Sequence, residues 1–89
     1  MKITWDEAKR LANLEAHGLD FADAERFPWD DATVREVRPS RHGNRRFQAI
    51  APLDGGFVSI VFSRLGTEGV SVNSMRPASD KERKLRDQG

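Results

Sequence analysis

Apolar residues in the first third of the chain recur at helical spacing, and those beyond it fall into the shorter period of strands. Ile3 to Trp5 is a short apolar segment that reads as a strand or a lead-in. Thr4-Trp5-Asp6-Glu7 has the spacing of a capping box, in which a hydroxyl and a carboxylate satisfy orphan helix amides reciprocally. The expected helix places Ala8, Leu11, Ala12 and Leu14 on one face, with Lys9, Arg10 and Glu15 elsewhere. Gly18 is a natural left-handed stop, and His17 sits in the last turn, where a basic side chain suits the helix dipole. A second helix is predicted from Asp20. It buries Phe21, Ala24 and Phe27 and ends at Pro28, because proline restricts the residue before it.

After Trp29-Asp30-Asp31 the pattern changes. Thr33 to Val37 reads as a strand, Pro39 to Asn44 as a polar loop, and Arg45 to Ala51 as a second strand. Asp54-Gly55-Gly56 is a strong hairpin signal. Phe57 to Ser63 is the most apolar strand and the expected centre of the sheet, and Leu65 to Gly69 returns the chain to a strand over Val70 to Arg76. Ser79-Asp80-Lys81-Glu82 is a second capping-box match and opens a short terminal helix. The expected fold is therefore α+β, one domain over residues 1–89. It has two N-terminal helices, a four-stranded antiparallel sheet and a short C-terminal helix.

Composition narrows the classes. A chain of 89 residues buries only about 60–65% of its surface on folding, and a third of its side chains are charged, so most of its surface is solvated charge. Cysteine is absent, which removes a disulfide frame and thiolate metal sites. The start lacks an apolar signal region, and no run approaches the roughly 20 apolar residues of a membrane span. A cytoplasmic protein with no membrane association is expected. Charge is split along the chain: residues 1–34 hold four basic and eight acidic side chains, residues 35–89 eleven and six. Such a split suits a second half that faces a polyanion, and equally suits ordinary surface charge that mixes on folding.

Several chemistries find no support. His17 and His42 have no partner at metal-ligand spacing, and the side chains of Asp30 and Asp31 diverge. His17 reads first as a helix cap, and His42 lies beside Arg41 in a polar loop. No serine has a nucleophile-elbow frame, and no phosphate loop or dinucleotide fingerprint occurs, so no cofactor is expected. What remains is a collection of cations around a strand-to-helix junction: Arg45, Arg46, Arg64, Arg76 and Arg83, with Lys81, Lys84 and the carboxylate of Glu82. Arg45 and Arg46, on one strand, point to opposite faces, so only one joins a given site. Arginine presents a planar fork that suits phosphate and never deprotonates. Arginines without metal ligands suit RNA cleavage, since the ribose supplies its own nucleophile and the protein need only position it and stabilise charge. The same arginines also serve as ion-pair partners on a solvated surface, and the pattern alone leaves both open. Trp29, beside Phe27-Pro28, either covers the core edge or anchors a second chain.

The spacing of these residues resembles a known family. Trp5-Asp6, Lys9, Asn13, His17-Gly18, Phe21 and Ala24 follow the opening Trp-Asp-x-x-Lys-x-x-x-Asn-x-x-x-His-Gly-x-x-Phe-x-x-Ala of the BrnT toxins of type II toxin–antitoxin systems. Ser74-Met75-Arg76, Ala78 and Glu82-Arg83 follow the family's closing Ser-Ala-Arg-x-Ala-x-x-x-Glu-Arg. Between them, Arg45-Arg46 and the Val58–Phe62 strand take the places of the family's Glu-Arg and aliphatic strand. The resemblance implies a RelE-like, microbial-ribonuclease fold and a metal-independent endoribonuclease that cleaves RNA and inhibits translation. It implies as partner a BrnA-like antitoxin that neutralises the toxin and binds operator DNA, which the toxin would meet only through it. By position, Arg46 and Arg76 would hold the scissile phosphate, and Glu82 would orient an arginine or accept a proton. Lys9, Arg45, Arg64 and Arg83 would contact RNA, and His17 and His42 are further candidates. Two departures stand out: Ser71 and Asn73 replace an arginine and an aliphatic residue of the family's strand, and Arg45 replaces an acid. A non-catalytic module that serves its DNA-binding antitoxin as corepressor would use the same phosphate-gripping arginines.

Overall fold

The computed structural model describes residues 1–88. Strand β1 (Lys2–Trp5) leads into helix α1 (Glu7–His17), and two short 3-10 helices follow over Phe21–Arg26 and Trp29–Asp31. Strands β2 (Thr33–Val37), β3 (Arg46–Leu53), β4 (Gly56–Leu65) and β5 (Gly69–Pro77) come next, and helix α2 (Asp80–Gln88) closes the order. The five strands form one sheet in the order β1-β5-β4-β3-β2, with β4 at its centre as expected.

The sheet is mixed, not four antiparallel strands. β2 to β5 are antiparallel neighbours, but β1 joins β5 in parallel, with Ile3 opposite Val70 and Trp5 opposite Val72. Because Thr4 is a strand residue, it cannot cap α1; Asp6 does so, accepting from the Lys9 N–H, and Glu7 turns to Arg10 and Trp5. The second predicted helix is also corrected. Phe21, Ala24 and Phe27 lie three residues apart, which matches the three-residue turn of a 3-10 helix better than the 3.6 of an α-helix. That helix is capped by Asp20, and the chain is extended again at Phe27, before Pro28.

One face of the sheet carries the core. Ala49, Ala51, Val58, Ile60, Phe62, Val70, Val72 and Met75 pack beneath Phe21, Ala24 and Phe27. Trp29 completes this layer: its ring meets Phe27 and Phe62 edge-on, and its N–H donates to the Ala24 carbonyl at 2.8 Å. It covers the core edge. The β3–β4 hairpin turns at Asp54 and Gly55, both with positive φ (52° and 85°), the geometry of a type I′ turn.

Helix α1 lies against β5 in an unexpected way. Leu11 is 54% exposed and Leu14 38%, while Asn13 is the buried residue of the helix. β1 pairs with β5 only as far as Val72, so the backbone of β5 beyond it has an open edge. Asn13 fills that edge as a strand would. Its amide nitrogen donates to the Met75 carbonyl at 2.8 Å, and its oxygen accepts from the Met75 N–H at 3.1 Å.

Candidate functional site

The second face of the sheet is polar, and α2 covers only part of it. Residues paired across strands share a face, so Arg35, Gln48, Val61 and Ser74 form one row and Ile50, Ser59 and Arg76 the next. α2 meets this second row. Its first turn is the expected capping box, with the Glu82 N–H donating to Ser79 Oγ at 3.2 Å and the Ser79 N–H donating to Glu82 Oε1 at 2.8 Å. Arg86 clamps the far end of the helix to the Asp31 carboxylate and to the Ile50 carbonyl.

Glu82 is 6% exposed and fully engaged. Arg76 grips it with both terminal nitrogens, Nη1 to Oε1 at 2.8 Å and Nη2 to Oε2 at 2.6 Å. Gln48 Nε2 donates to the same carboxylate and to Ser59 Oγ. The Gln48 oxygen in turn accepts from Arg35 Nε at 2.7 Å. Two arginines from strands at opposite sides of the sheet are thus held by one buried amide and one buried acid. The Arg76 guanidinium, helped by the Ser79 N–H and Gln48, holds the Glu82 carboxyl down at about 2 against the opposing effect of burial. A carboxylate so stabilised is a poor proton acceptor at neutral pH and an effective fixture for its arginine.

The other expected residues do not converge here. Arg46 pairs with Val37 one residue before Phe47, the partner of Phe62, whereas Arg76 stands opposite Ser59. Four residues along the strand and two strands across put their backbones on the order of 16 Å apart. Arg46 also turns away, donating from Nε to the Arg38 carbonyl at 2.9 Å. Arg45 is bound through two nitrogens to Glu36 on the exposed surface. Arg64 lies over the Phe47 ring, and Arg83 over the Phe57 ring, at 4.6 and 4.7 Å from the centroids. Lys9 and His17 flank Asn13 at intervals of four along α1, both exposed. His42 is exposed in the turn before β3.

Pairing sorts the arginines. Arg10, Arg26, Arg45, Arg76 and Arg86 are each salt-bridged. Among the described residues, Arg35, Arg38, Arg41, Arg46, Arg64 and Arg83 form no salt bridge, and all six lie in the basic second half. Also among the described residues, no three carboxylate or histidine side chains gather to hold a metal ion, and no helix is long and apolar enough to cross a membrane.

Residues 5–82 match the family model of the ribonuclease toxin BrnT of type II toxin–antitoxin systems. The chain belongs to the BrnT family. The matched span runs from Trp5 to Glu82 and so contains Asn13 and the whole Arg35–Gln48–Glu82–Arg76 network. The fold is similar to the crystal structure of the Brucella abortus ribonuclease toxin BrnT, with a TM-score of 0.74 and 40% identity over 90% of this chain and 99% of that one. A comparison with curated proteins gives no match. Membership of the BrnT family makes the chain a ribonuclease toxin of a type II system and implies a cognate antitoxin as partner.

Sequence reasoning missed Arg35, Gln48 and Ser59 in this BrnT-family site. The available signal was a glutamine in the middle of an apolar strand, Phe47-Gln48-Ala49-Ile50, where a buried polar side chain demands partners.

Proposed function

We propose that this BrnT-family toxin, RelE-like in class, cleaves RNA on the open polar face of its sheet, with Arg76 as the charge-stabilising group and Glu82 as its positioning residue. The ribose 2′-OH attacks phosphorus, the bond to the 5′ oxygen breaks, and negative charge on the equatorial oxygens grows beside the guanidinium. No metal is required, because the ribose carries the nucleophile and the arginines carry the positive charge. Arg35, pre-oriented by Gln48, and Arg46 contact flanking phosphates. Lys9, Arg64 and Arg83 extend the basic surface, and Arg45 contributes less because its fork is taken by Glu36. Water at the open face takes the 2′-OH proton and returns one to the departing 5′ oxygen, and the exposed His17 and His42 stand outside this network. A BrnA-like antitoxin would cover this face in the cytoplasm and would bring the toxin to operator DNA.

The observation that carries the reading is the bidentate Arg76–Glu82 pair beside arginines that form no salt bridge. A buried acid that locks one arginine in place at an open polar face is preorganisation for an anionic transition state. The test is cleavage of a structured RNA by antitoxin-free protein in excess EDTA, with Arg76→Ala alongside and melting recorded for both. The expected result is wild-type cutting to 2′,3′-cyclic phosphate ends and a loss of roughly a hundredfold or more in the variant. Equal cutting by a folded variant removes Arg76 from the mechanism. A folded wild type that cuts nothing favours the corepressor role.

A further inference from the structure

We propose that the cleft at the end of the sheet, where β3 begins and β4 ends, is a nucleobase subsite in which Asn73 reads the base edge. The proposal rests on the ribonuclease reading above and adds to it the origin of sequence preference. The cleft encloses about 630 Å³ and is lined by Asn44, Ser63, Arg64, Ser71 and Asn73 among others.

Three observations point to a base. The first is the backbone. Val61 pairs with Ser74 and Phe62 with Val72, so Asn73 is the extra residue of a β-bulge, without a partner on β4. Bulges re-aim a side chain at the cost of one ladder position and are frequent beside active sites. The second is the side chain. Asn73 Nδ2 donates to Ser63 Oγ at 3.3 Å, which turns the amide towards the cleft. Among the described residues, its carbonyl oxygen and second N–H have no partner. An adjacent donor and acceptor held in one plane match the edge of a nucleobase, the pairing by which asparagine discriminates bases. The third is charge. The lining carries no carboxylate, and Arg64, held over Phe47 at 4.6 Å, forms no salt bridge among the described residues. At the rim of the cleft its charge is a partner for the adjoining phosphate. Neutral hydrogen-bonding groups within a cationic rim suit a nucleotide and do not suit a metal ion.

Position supports the same assignment. Asn73 lies three residues before Arg76 on the same strand, roughly 10 Å away. A base seated at Asn73 therefore belongs to a nucleotide one or two steps from the phosphate at Arg76.

The experiment measures two quantities on wild type, Asn73→Leu and Ser63→Ala. The first is kcat/KM on short RNAs that carry each of the four bases at the positions flanking the cleaved bond. The second is affinity for the same sequences with 2′-deoxy sugars, which bind without being cut. Wild type should prefer one base at one flanking position by about tenfold or more, in rate and in affinity. Asn73→Leu should flatten that preference while retaining cleavage of the least favoured sequence, and Ser63→Ala should weaken it by freeing the amide. An unchanged base profile in a folded Asn73→Leu overturns the subsite and leaves the ribonuclease reading intact. Base-dependent binding without any cutting keeps the subsite and defeats that reading. A wild type that neither cuts nor binds defeats both.

Discussion

Helices α1 and α2 each bury a polar side chain where an amphipathic helix would bury leucine: Asn13 in one, Glu82 in the other. Asn13 bonds only to backbone, closing the open edge of β5 at Met75 and bonding the Leu19 carbonyl besides. Glu82 bonds to the side chains of Gln48 and Arg76 and is itself charged. The first arrangement completes a sheet and asks nothing of a substrate. The second invests a buried charge in holding Arg76, which stands 39% exposed at the open face. Burial of a paired charge gains little stability over an apolar replacement, so its value lies in the arginine it fixes. On the proposed mechanism, polar burial serves structure in α1 and chemistry in α2.

The sharpest way to break the comparison is Glu82→Gln. Loss of the carboxylate frees the Arg76 fork, and cleavage should fall by roughly a hundredfold, the scale of a lost preorganised donor. The same substitution has a pH signature. Glu82 ionises well below its ordinary 4.5 in the folded chain, at about 2, so its contribution is complete above about pH 4.5 and is lost as pH falls towards 2. Wild type should lose about 3 kcal/mol of stability through this group across that window, and Glu82→Gln should lack that part of the acid transition. Denaturant melts at pH 5 and pH 2.5 on both proteins check it; parallel losses would mean that Glu82 is not the titrating group.

Asn13→Ala should show the opposite profile. It strands the N–H and C=O of Met75 in a buried setting, at a cost of about 2–4 kcal/mol, which lowers Tm by at least about 10 °C in a domain of this size. Cleavage per folded molecule should be unchanged below the melt. A large loss of activity with little loss of stability would place Asn13 in the site and erase the distinction between the helices. The smallest effect is expected at Leu11, where Leu11→Ser removes an exposed side chain and should alter stability by no more than about 0.5 kcal/mol. A larger fall would show that α1 packs by its apolar face after all.

Some of this was legible in the chain. The Asp54-Gly55 turn, the Ser79–Glu82 capping box, the Gly18 stop and the apolar β4 all stand in the structure as read. The gathering of Arg76, Glu82 and Arg83 at one strand-to-helix junction is legible because they flank one short turn. The arginines that form no salt bridge were not separable from the paired ones, since Arg45 and Arg46 are adjacent in the chain and only the first meets a carboxylate. Leu11 and Leu14 satisfied a helical pattern that the fold does not use, because the neighbour of α1 is the backbone edge of β5 and not an apolar surface.

What the sequence by itself determined are the features closed within a few residues: turns, caps and the period of a strand, where backbone geometry and the nearest side chains leave one low-energy choice. The tertiary structure alone decided the rest. β1 finds β5 across more than 60 residues, Asn13 finds Met75 across 62, and Gln48 finds Glu82 across 34. Each of these depends on which polar groups the completed sheet leaves unsatisfied, and that demand does not exist until the strands have assembled.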